Sequence, residues 1–194
     1  MADQFVEEAK NNMSALERLF KGLPGIQGYV DKELRRNADW RLRQTIADEL
    51  EKQKRALFET QQKLLQAGGL KWLDDIDRAV NKLQILIDRV KTASAGYAGL
   101  FDAVKVREKE LNALHAFDVA LAGRVVVLES AVAALATAVA QAGDLAAPIG
   151  QVTDTVSELN SMFDKREQAI LDPQLFLDGG FVPDVGEDLA AANP

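Results

Sequence analysis

The chain carries a single histidine, His115, and no cysteine. Those two counts narrow the chemistry at once. A metal centre built on imidazoles draws on two or three of them. A di-iron carboxylate bundle needs two Glu-x-x-His motifs and two further glutamates. Asn112 stands three residues before His115, where the glutamate of such a motif would be. His115 and Asp118 form an i, i+3 pair, with Glu108 two turns away, and the arrangement reads as a histidine at the edge of a helix seam. There is no G-x-S-x-G, no Walker loop and no G-x-G-x-x-G. Gly96-x-x-Gly99 follows a helical pattern rather than a strand. The Asp74–Asp75 pair is of a kind common on solvated helices. The expectation is therefore a non-enzyme, with no catalytic residue, no cofactor, no metal site and no small-molecule substrate. Without cysteine, disulfides and thiolate catalysis are excluded as well.

Charge points to partners instead. The formal net charge is −7, and it is unevenly spread. Residues Met1–Glu110 hold 20 Lys/Arg against 18 Asp/Glu, whereas Leu111–Pro194 hold 3 against 12. An acidic chain repels phosphate backbones, so nucleic acid is not an expected partner. Lys32, Arg35, Arg36, Arg41 and Arg43 cluster among Asp31, Glu33 and Asp39. They form a candidate face for an anionic partner, or for the acidic C-terminal part of this chain or of another copy. Phe5, Leu16, Leu19, Phe20 and Leu23 form a candidate membrane face, although Met1–Leu23 has three basic against four acidic side chains and interfacial helices are usually basic. The run 125–143 contains Glu129, and its uncharged stretch Ser130–Gly143 has 14 residues. A bilayer span needs about 20, so a buried bundle helix is expected there.

These residues must be carried by helices. Proline occurs at 24, 148, 173, 183 and 194, leaving 123 residues uninterrupted, in a composition rich in Ala, Leu, Glu, Lys and Gln. Gln4–Leu23 reads as a first helix with the stripe Phe5, Ala9, Met13, Leu16, Phe20 and Leu23. Tyr29–Gln66 reads as a second, with Leu34, Ala38, Leu42, Ile46, Leu50, Leu57 and Leu64 on one face. Ala67-Gly68-Gly69 supplies its stop. A third element begins near Leu70, with Ile76, Val80, Leu83, Ile87 and Val90 in heptad spacing and Asp74, Asp75 and Asp77 near its positive end. The short connection makes the two antiparallel, in a hairpin of roughly 55 Å. The seam phase continues through Ser94, Tyr97, Phe101 and Val104, so the helix is expected to run unbroken across 91–105, with a hinge between two helices as the alternative. Ala95, Gly96 and Gly99 would then form a close-packing site. The slip in phase around 107–118 suggests a break near Phe117–Gly123, with Asp118 as an N-cap. Gly143–Pro148 reads as a loop, with Pro148 suited to a first helical turn, and Ile149–Leu171 as the last helix.

The blocks GLPGIQGYVDKELRRNADWRLRQTIADELEKQKRALFE and WLDDIDRAVNKLQILIDRVKTASAGYAGLFDAVKVREKELNALHAFD resemble a family of uncharacterised bacterial helical proteins. The plan of an amphipathic first helix, a Pro-Gly corner and a long charged hairpin also resembles phage-shock-type (PspA-like) membrane-stress proteins. That second resemblance implies peripheral membrane association and self-assembly.

The expected fold is all-α: a long antiparallel helical hairpin extended into a four- or five-helix, coiled-coil-like bundle. An amphipathic N-terminal helix (1–25) precedes the bundle (26–171), and an acidic, extended or disordered tail (172–194) follows, whose Leu175, Phe176, Leu177, Phe181 and Val182 can dock on the bundle or on a partner. The expected function is a helical scaffold or interaction protein, a homo-oligomer in the cytoplasm. The alternative is a PspA-like peripheral protein at the inner membrane face.

Overall fold

The computed structural model describes residues 32–93, 108–172 and 175. Four α-helices make up nearly all of it: α1 (Lys32–Gln66), α2 (Leu73–Thr92), α3 (Glu108–Ala140) and α4 (Ala146–Leu171). A short 3-10 turn, Leu70–Trp72, leads into α2. The architecture is an all-α bundle in which each helix packs on two others, in the ring order α1, α2, α4, α3.

Cross-links between helices fix their directions. Lys54 donates to Gln84 (2.5 Å) and Gln61 to Asp77 (2.5 Å), so α1 and α2 run antiparallel. Lys82 donates to Ser157 (3.1 Å) and Arg89 to Asp164 (2.6 Å), so α2 and α4 run parallel. Arg166 meets Asp118 and Arg124 meets Glu158, so α3 and α4 are antiparallel. Two hairpins therefore lie side by side, with both turns at one end of the bundle.

Most of the seams read from spacing are buried, although Val80 is only partly covered and Ala79 and Leu86 enter the core beside it. Leu42, Ile46, Leu50, Leu57 and Leu64 of α1 meet Ile76, Leu83, Leu86, Ile87 and Val90 of α2 in one continuous core. Leu121, Val125, Leu128, Val132 and Leu135 of α3, with Ile149, Val152, Val156, Leu159 and Phe163 of α4, complete it. Each such side chain stabilises by about 1.5–3 kcal/mol when fully buried. The α1 seam also contains Gln53 and Thr60, both buried. Gln53 donates to Glu49 (2.6 Å) and Thr60 to the Ala56 carbonyl (2.8 Å), which satisfies them one turn back in their own helix.

Both hairpins close by the same device. After α1, Gly69 N–H donates to Leu64 O and Gly68 N–H to Leu65 O. After α3, Gly143 N–H donates to Ala138 O and Ala142 N–H to Val139 O. This pattern needs one residue in the left-handed region. Gly68 takes it at φ 81°, and Ala142 takes it at φ 50°.

Several expectations need correction. The arms of the first hairpin are unequal: α1 has 35 residues and α2 only 20. α2 stops at Thr92, because Ala93 leaves the helical region at ψ 120°. The unbroken helix expected across 91–105 therefore ends at its second residue; continuity of heptad phase does not oblige the backbone to follow it. Ala95, Gly96 and Gly99 lie outside the described residues. No break occurs at Phe117–Gly123, since α3 is continuous from Glu108 to Ala140. Phe117, Leu121 and Val125 are two successive steps of four, and a 3.6-residue helix absorbs that drift. Finally, α4 begins at Ala146, placing Pro148 inside its first turn, where a missing N–H costs nothing.

Candidate functional site

Three charged side chains are buried among the described residues: Arg43, Asp118 and Arg166. The pairing of the last two is geometric. Arg166 Nε donates to Asp118 Oδ1 (2.5 Å) and Arg166 Nη2 to Asp118 Oδ2 (3.0 Å). This is the fork-on-fork arrangement that suits guanidinium and carboxylate, and both side chains are fully sequestered from solvent. Asp118 is not the N-cap expected from sequence. It lies in the interior of α3, and its partner is 48 residues away on α4.

Phe163 links this pair to the surface. The Arg166 guanidinium lies 5.8 Å from its ring centroid and the Arg89 guanidinium 5.0 Å from the same centroid. Arg89, at the end of α2, also donates to Asp164 (2.6 Å) and Glu167 (2.8 Å). The bond to Glu167 above all holds Arg89 more firmly charged than an ordinary arginine. On the other side of α2, Lys91 pairs with Glu51 of α1, and their hydrogen bond draws the Glu51 carboxyl below its usual range.

His115 lies one turn before Asp118 on α3 and is partly buried. Burial pulls its imidazole below the usual 6.5, while the Asp118 carboxylate pulls the other way. Among the described residues, no three His, Cys, Asp or Glu side chains converge as a metal site would require. Asp74 and Asp75 occupy the first turn of α2, where a helix dipole favours acids. Asp75 pairs there with Arg78.

The basic cluster is split. Arg41 is exposed, whereas Arg43 is only 2 % exposed. Arg43 therefore does not belong to a solvated face for an anionic partner. The two residues are about 200° apart around the helix. Lys32, Arg35 and Arg36 occupy the first turns of α1. Phe5, Leu16, Leu19, Phe20 and Leu23 lie outside the described residues, as does the tail beyond Asp172 except Leu175. Leu175, like Ile170, packs against the small cluster of Leu114 and Ala169, so the chain meets the bundle at this position. Phe117–Ala140 is long and apolar enough to cross a bilayer by length and composition, and half of its apolar window is buried inside the bundle.

The outer surface of α1 is the other notable feature. Five large hydrophobic side chains are exposed among the described residues, and three belong to α1: Trp40 (55 %), Phe58 (51 %) and Leu65 (52 %). Trp40 and Phe58 are 18 residues apart, and Leu65 follows 7 later. At about 100° per residue these spacings set all three within about 20° of one line along the helix.

No protein-family model, curated protein or solved structure matches this chain.

Sequence reasoning missed the Asp118–Arg166 pair. A signal was present: Arg166 stands between Phe163 and Ile170 in steps of three and four, a seam position. Asp118 adjoins Phe117 and Leu121. Opposite charges on the apolar seams of two adjacent helices are costly unless they meet.

Proposed function

We propose that the protein is a non-enzymatic helical scaffold that self-associates through the outer surface of α1. The observation that supports this reading is the line of Trp40, Phe58 and Leu65. Exposed apolar side chains scattered singly need no explanation, but three aligned on one 35-residue helix form a stripe for a partner helix.

The occupant is a second copy of the chain. The exposed charges on that side of α1 run Arg41, Asp48, Lys52, Arg55 and Glu59. Two antiparallel copies related by a two-fold axis near residue 50 set Arg41 against Glu59 and Asp48 against Lys52, while Arg55 faces the neutral Thr45. The same axis brings Trp40 of one copy beside Phe58 of the other. A self-complementary patch of this kind closes as a dimer.

Light scattering tests the reading. The native chain is expected at twice its monomer mass, and Trp40→Glu with Phe58→Glu is expected to return it to the monomer. A native chain that stays monomeric at every concentration would overturn it. With Trp72→Phe making Trp40 the only indole, a blue shift of its emission with concentration would place the contact.

A further inference from the structure

The end of α2 is tied to both of its neighbouring helices. Its last turn, Arg89–Thr92, carries two cations, and each reaches a different neighbour. Arg89 bridges to Asp164 and Glu167 on α4. Lys91 bridges to Glu51 on α1. Between them Val90 is fully buried in the core. One residue after this turn the helix is over, since Ala93 is extended.

We propose that this turn is a salt-sensitive clasp, tying α2 to both neighbouring helices over Phe163 and beside the buried Asp118–Arg166 pair. The clasp and what it covers differ in solvation. Asp164 and Glu167 are about half exposed, at 57 % and 47 %, and Lys91 and Glu51 are also open to water, at 37 % and 36 %. Screening acts on such bridges, because the Debye length falls from about 10 Å at 0.1 M salt to about 3 Å at 1 M. Asp118 and Arg166 are fully sequestered, and ions reach them only after the cover lifts. Phe163 transmits the state of one layer to the other, since both guanidiniums lie over its ring. Releasing Arg89 removes one partner of that ring and opens a path for water toward the pair. The first half of α2 is not part of the device. It is held by Ile76, Ala79 and Leu83 in the core, which salt does not weaken.

Hydrogen exchange on the full chain, read by mass spectrometry, tests the clasp. Raising salt from about 0.1 M to about 1 M is expected to speed exchange of residues 88–93 roughly two- to fivefold, the range of one or two exposed bridges. Residues 115–121 and 163–169 are expected to follow, while 76–83 and 125–135 keep their protection. Arg89→Met, which retains the apolar stem, and Lys91→Met are expected to reproduce the effect at low salt and to reduce the response to added salt. Unchanged exchange at 115–121 and 163–169 would overturn the proposal. So would uniform acceleration of all four helices, which would mean that salt lowers global stability instead. The salt series on the native chain decides the matter even if a variant does not fold.

Discussion

Asp118 and Arg166 show how one residue pair can be costly and indispensable together. Taking two charges out of water is expensive, and their attraction offsets that expense only with good geometry. Removing one partner leaves the other buried. Asp118→Ala is therefore expected to destabilise the bundle by about 3–5 kcal/mol in urea unfolding. The double change Asp118→Leu with Arg166→Met is expected to recover most of that loss. If the single change costs less than about 1 kcal/mol, the pair is not sequestered as described. His115 adds a pH dependence whose sign is fixed by its environment. Its folded pKa lies below the ordinary 6.5, with burial as the leading cause. The imidazole therefore favours folding above 6.5, and this contribution is lost as pH falls through the lowered value. His115→Phe is expected to flatten the stability profile just below pH 6.5; a profile parallel to that of the native chain would contradict this.

At the level of elements, glycine placement gives the sharpest tests. Gly123 lies inside α3, and a methyl group there would meet nothing within 4 Å. Gly123→Ala is expected to stabilise the protein by up to about 1 kcal/mol, seen as a higher unfolding temperature. A break at this point would make the same change neutral or harmful. Ala142 carries the left-handed conformation that Gly68 carries in the other hairpin, at a cost of about 1–2 kcal/mol. Ala142→Gly should recover part of that cost, whereas Gly68→Ala should destabilise. The helices themselves were legible in the sequence, because steps of three and four from Leu42 to Leu64 and from Ile76 to Val90 mark buried faces. Their ends were less so. Heptad phase continues past Thr92 although α2 does not, and α4 begins at Ala146, three residues before Ile149. Gln53 and Thr60 were invisible because a polar side chain satisfied within its own helix leaves no trace in a hydrophobic pattern. The Asp118–Arg166 pair was only half legible: spacing puts Arg166 on a seam, but the pair joins residues 48 apart, and spacing within one helix does not say which charge on another helix it meets.

At the scale of the whole bundle, the two parallel hairpins leave α1 as the longest helix among the described residues, about 52 Å by its 35 residues. Lys91 meets Glu51, so Lys32–Leu50 extends beyond the end of α2. Trp40 stands on that extension, while Phe58 and Leu65 stand beside the hairpin. Antiparallel pairing of two copies along this line makes a geometric demand that other assemblies do not share. The chain has no cysteine, so single cysteines at the exposed positions Asp48 and Gln62 can each carry a spin label. Pulsed dipolar spectroscopy then reads the distance between copies. An axis near residue 50 sets labels at 48 close together, with an axial offset of about 6 Å, and labels at 62 far apart, with an offset of about 36 Å. A short distance at 48 and a long one at 62 is the expected result. Equal distances at both sites, or no dipolar signal between copies, would contradict self-association through α1.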